Sequence, residues 1–144
     1  MNRSIKIFTG LVVAVLVVFT VQAQQLSKSS SPDDAAVYIG SPANGAVVPT
    51  TFTVMFGLSG MGVSPSGVER QNTGHHHLLV DGAMLPDLNM PLGDVVTHFG
   101  GGQTQTTLTL TPGEHTLQLI LGDYLHLPHE PPVVSQVISI TVAN

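Results

Sequence analysis

The sequence predicts an all-β fold, an immunoglobulin-like antiparallel β-sandwich of about seven strands, and three observations carry that prediction. Apolar side chains alternate with a two-residue period through residues 51–58, 115–121 and 133–142, the pattern of a half-buried strand. Proline, glycine and Asp-Gly turn signals at 41–45, 81–82 and 111–114 separate these runs. No segment with a 3.6-residue apolar period follows the first 23 residues, so the domain is expected to contain no helix.

In chain order, Met1-Asn2-Arg3-Ser4-Ile5-Lys6 carries two positive charges and precedes a nearly uninterrupted apolar run over residues 7–21. Val21-Gln22-Ala23 then places small or branched residues where signal peptidase cuts. Residues 1–23 read as a signal peptide cleaved after Ala23, residues 24–35 as a serine-rich flexible linker, and residues 36–144 as the sandwich domain. A retained membrane anchor is the alternative, but the run is short for a span. The protein is expected to be periplasmic or secreted, free of the membrane once the signal is cleaved. Cysteine is absent, which removes a lipid anchor and disulfides and leaves the fold resting on its core.

After cleavage only Lys28 and Arg70 face nine acidic residues. That balance disfavours nucleic acid and anionic membranes as partners and suits cations. Beyond Arg70 there is no lysine or arginine, and all seven histidines lie there, so positive charge in this part of the chain must come from imidazoles. Few aromatics and no tryptophan weaken a carbohydrate-stacking reading.

Residues 36–40 form a first short strand, and the Pro42 and Gly45 turn leads to Val47-Val48, a kinked edge as in many immunoglobulin-like domains. In residues 51–58, Phe52, Val54, Phe56 and Leu58 share the core face. Residues 59–74 contain four glycines and no periodic pattern, a loop of functional length. It ends in Asn72-Thr73-Gly74-His75-His76-His77-Leu78-Leu79-Val80-Asp81. As a strand this stretch sends His75, His77 and Leu79 to one face and His76, Leu78 and Val80 to the other, the core face. Residues 83–97, with Pro86 and Pro91, read as an irregular crossing segment. His98 then precedes three glycines, which let the backbone turn sharply. Residues 104–110 and 115–121 alternate again. Residues 122–132, a proline-stiffened loop, hold Asp123, His126, His129 and Glu130, and residues 133–142 close the domain as a strand.

Immunoglobulin order makes 75–81 and 115–121 antiparallel neighbours, which brings His75 and His77 beside Asp123, His126 and His129. The crossing segment must climb back to the same end, which adds His98 and leaves only His115 at the other pole. Histidines two apart on a strand can share an ion, and neutral imidazole suits copper, zinc and nickel. His75, His77 and His126 are the expected ligands. His129 and Asp123 come next, as ligands or as groups that orient one, with His98 at the same pole. Met61, Met84 and Met90 lie in loops and would favour copper(I) as ligands, but methionine is more often a gap-filler, and Met84 and Met90 follow the far end of the 75–81 strand.

The leading expectation is a non-enzymatic domain that binds copper or zinc. Its rival is a structural or protein-interaction module, meeting another periplasmic protein, whose histidines only hydrogen-bond loops; a third reading is a pH-dependent surface that gains charge on acidification. An enzyme is the least favoured class, because no nucleophile, base and acid pattern is visible. The expected N-terminus, Gln24, also excludes an amino-terminal histidine copper brace. A hydrolytic zinc site would need an open coordination position facing Glu130 or Asp123.

Four ordered blocks carry a family resemblance: the histidine stretch 72–81, His98-Phe99-Gly100-Gly101-Gly102-Gln103-Thr104, Gly113-Glu114-His115-Thr116-Leu117-Gln118-Leu119, and Pro128-His129-Glu130-Pro131-Pro132-Val133-Val134-Ser135. Over residues 36–142 the chain resembles the bacterial exported family catalogued as domain of unknown function 4399. The resemblance implies a small periplasmic or secreted domain and no established activity. Cell-shape or ATPase labels attached to such proteins do not fit a chain without a nucleotide motif or several membrane spans.

Overall fold

The computed structural model describes residues 27–143; the expected signal peptide and the first linker residues lie outside them. Among the described residues nine strands follow in order: β1 Ala36–Ser41, β2 Val47–Val48, β3 Thr51–Ser59, β4 Gly62–Val63, β5 Thr73–Val80, β6 Thr97–His98, β7 Gln105–Thr109, β8 Gly113–Gly122 and β9 Ile138–Val142. They form a three-stranded sheet, β1-β3-β7, and a six-stranded sheet, β2-β9-β8-β5-β4, with β6 also on β5. The result is the expected all-β sandwich. Immunoglobulin order is visible in the neighbours β5 and β8 and in the first strand, which splits between the sheets: β1 pairs antiparallel with β3, while β2 runs parallel to β9.

Alternation builds the core. Phe52, Val54 and Phe56 of β3 face Leu78 of β5, Leu117, Leu119 and Leu121 of β8, and Ile140 and Val142 of β9 in one buried cluster. Fully burying side chains of this kind stabilises the fold by about 1.5–3 kcal/mol each. The opposite face of the six-stranded sheet is covered as well. Leu79 and Ile120 pack under Leu92 and Val96 in a second cluster. The segment expected to be an irregular crossing is thus a lid for that outer face, and it contributes β6, whose His98 pairs with His77 and Thr97 with Leu78.

Two expectations need correction. The closing strand does not run through 133–142, because only Ile138–Val142 is regular. Ahead of it, Leu119 N–H donates to Ser135 Oγ (2.8 Å) while Ser135 N–H donates to Leu119 O (2.9 Å). A side-chain hydroxyl there takes the place of a main-chain carbonyl and interrupts the ladder. Part of the expected flexible linker is also paired to the domain. Ser31 N–H donates to Glu130 O (3.0 Å), and Glu130 N–H donates to Ser29 O (2.9 Å).

Candidate metal centre

The site begins with β5. His75 and His77 are two residues apart and share the outer face, with ring centroids 4.7 Å apart. Antiparallel pairing places His98 of β6 opposite His77, and directly paired residues project on the same side. His98 accordingly stacks against His77 at 5.2 Å and meets His75 edge-on at 4.9 Å.

The fourth ring comes from the loop after β8. His126 adopts φ 67°, a left-handed conformation unusual for a residue with a side chain and common at functional sites. Asp123 holds this turn. Its Oδ1 accepts from Leu125 N–H (2.9 Å) and Leu127 N–H (3.0 Å), its carbonyl accepts from His126 N–H (2.9 Å), and its Oδ2 accepts from Ser29 Oγ–H (2.8 Å). Leu92 N–H donates to His126 O (2.8 Å), tying the turn to the outer-face segment. Asp123 is buried, so Asp123→Ala leaves several donors without an acceptor. It is expected to destabilise the metal-free protein by about 2–4 kcal/mol, measurable by urea unfolding.

His75, His77, His98 and His126 each offer a ring nitrogen, and the four nitrogens lie within 4.8 Å of one another. His98 Nε2 and His126 Nε2 share a hydrogen bond (3.0 Å), and Ser66 Oγ lies 3.2 Å from His126 Nε2. His75 and His77 are fully buried, and among the described residues no group lies in good hydrogen-bond geometry to either ring; His77 has only a loose approach to the His75 main chain. Buried polar atoms are normally paired. Burial, reinforced by the neighbouring imidazoles, lowers the pKa of His75 to about 4 and of His77 to about 3. Burial and His126 lower that of His98 too. At neutral pH these rings are uncharged and keep a lone pair for a cation.

Glycine makes the room. A Cβ on Gly122, the β8 residue paired with His75, would sit 2.6 Å from His77 Cε1. Gly122→Ala is therefore expected to displace the His77 ring and to destabilise the fold by about 1–3 kcal/mol, as read by urea unfolding. One at Gly100 would overlap the His98 ring.

Of the six residues expected at the site, four converge. His129 does not join them: its Nε2–H donates to Thr73 O (3.1 Å) and its ring is buried between β5 and β8. Asp123 does not join them either, since its oxygens are taken by the turn it builds. His76 points into the core, donating from Nδ1 to Gln103 O (3.2 Å) beside Phe56. His115 lies apart, its Nδ1 2.7 Å from Asp81 Oδ2. Ser66 and Gly122 carry no signal in the sequence, because only strand register and loop packing bring them to the rings, whereas Gly100 belongs to the three glycines expected to let the backbone approach another group closely.

Residues 54–143 match the model of a family described as Domain of unknown function (DUF4399). No curated protein and no solved structure matches the chain.

Proposed function

Because the chain belongs to the DUF4399 family, whose description assigns no activity, we propose a function from the site itself: an exported, non-enzymatic domain that binds a copper or zinc ion through His75, His77, His98 and His126. The observation that carries this reading is the pair of fully buried imidazoles at 75 and 77, which form no good hydrogen bond among the described residues and face two further rings. Unpaired polar atoms in a folded interior ask for a partner, and neutral nitrogens at this spacing suit a borderline transition metal. Four protein donors also fill a four-coordinate ion and leave no position for a substrate, which favours a carrier or buffer over a hydrolase.

Titrating the metal-free protein, without a histidine tag, with Zn(II) and Cu(II) tests the reading. One ion per chain is expected to bind, with Kd well below about 10 μM and a raised melting temperature. Binding no tighter than tens of micromolar removes the proposal. The interaction-module reading draws support from the exposed Met84, Met90 and Val95 on the outer-face segment. On that reading, replacing His75, His77 and His126 together leaves function intact.

A further inference from the structure

The arrangement of the four rings discriminates between ions. A metal about 2.0–2.1 Å from each coordinating nitrogen stands about 3.2 Å from each ring centroid. Four donors at tetrahedral corners then keep all six centroid pairs about 5.2 Å apart. A square plane instead holds four pairs at about 4.5 Å and the two trans pairs at about 6.4 Å.

The observed separations are 4.7 Å for His75–His77, 4.9 Å for His75–His98, 5.0 Å for His75–His126, 5.2 Å for His77–His98, 5.8 Å for His77–His126 and 4.5 Å for His98–His126. Every pair lies within about 0.7 Å of the tetrahedral value. No choice of two trans pairs reproduces the plane. The widest disjoint choice, His77–His126 at 5.8 Å with His75–His98 at 4.9 Å, leaves the second pair about 1.5 Å short.

The backbone opposes a change toward the plane. His75 and His77 sit on one strand paired to β8, and His98 is held opposite His77 by β6. His126 is fixed by the Asp123 turn and by Leu92. Closing a tetrahedron requires the nitrogens to draw together, a movement of about 1 Å within reach of ring rotation. Flattening the site requires separating rings that two strands hold.

The geometry points to zinc(II) as the ion this site selects, held as Zn(His)4 and discriminated from copper(II) by a tetrahedral cage. This rests on the metal-binding reading and narrows it. Copper(II) has the higher intrinsic affinity for nitrogen donors but prefers tetragonal geometry, whereas zinc has no d-electron preference and accepts a tetrahedron. The chain has no cysteine, so no thiolate is present to favour copper(I).

Cobalt(II), which absorbs strongly in the visible only when four-coordinate, is the probe. Added to the metal-stripped, tag-free protein, it is expected to give the intense bands of a tetrahedral site, and one equivalent of zinc(II) is expected to abolish them. His98 is exposed and its loss leaves the core untouched. His98→Ala is thus expected to fold, to weaken zinc binding about tenfold or more, and to change the cobalt spectrum as water enters. A weak six-coordinate cobalt spectrum overturns the zinc assignment and leaves the metal-binding reading standing. So does a tetragonal copper(II) resonance, the signature of a site that has flattened around the ion. Uptake of none of the three ions overturns both.

Discussion

The His75→Leu/His77→Leu double variant is expected to be more stable than the metal-free wild type while binding neither zinc nor copper. In the wild type both rings are fully buried, and among the described residues their four nitrogens have no well-formed hydrogen bond. An unsatisfied buried polar group costs about 1–3 kcal/mol, and replacing it with an apolar group of similar size removes that cost. Leu79, which shares this face of β5, already packs in an apolar cluster, so leucines extend a surface of the same kind. A gain of about 2–4 kcal/mol in urea unfolding at pH 7 is expected, allowing for imperfect packing. A histidine pair that merely supports the fold gives the opposite sign, and a loss of stability on this substitution would refute the site. Retained stability that functional residues give up is a general mark of sites built for a ligand.

Acid is expected to unfold the metal-free protein well before it affects that double variant. The sign follows from the two depressed values. An unfolded histidine titrates near 6.5, whereas His75 and His77 in the fold titrate at about 4 and about 3. Between those limits the unfolded chain binds protons that the native chain refuses, so stability is full above the unfolded value and falls as pH drops toward the folded ones. At pH 5 the loss is about 2 kcal/mol for each ring. His76, lowered by burial, contributes in the same direction. His115 opposes it: its hydrogen bond to Asp81 raises its pKa, so its contribution is present at low pH and is lost as pH rises through that raised value. Asp81 is half exposed, which makes that opposing contribution small. Melting temperatures of both proteins from pH 7 to pH 4.5, with and without zinc, check this. Parallel curves would contradict it, and zinc is expected to flatten the wild-type curve by occupying the rings.

Much of this molecule can be read along its chain, and the gaps have physical causes. Phe52, Val54 and Phe56 alternate so regularly that the strand and its buried face follow directly, and the same holds for Leu117, Leu119 and Leu121. Strand order then brings His75 and His77 to the end of β8, where His126 lies. The outer-face cluster is harder to see, because Leu92 and Val96 stand alone in a segment with no period. Ser135 interrupts a run whose apolar alternation continues undisturbed, since a hydroxyl that replaces a carbonyl leaves no mark on hydropathy. His129 and His98 exchange the ranks expected of them for a similar reason. Both stand near the pole, but only the β5–β6 pairing turns His98 toward the other rings, whereas Thr73 O engages His129.

The four donors come from β5, β6 and the turn after β8, so none of the local pieces owns the site. Local sequence alone keeps only His75 and His77, two residues apart on one strand face, close together. The four rings meet only where β6 and the turn after β8 pack against β5, so an ion held by all four would bind the folded chain in preference to the unfolded one.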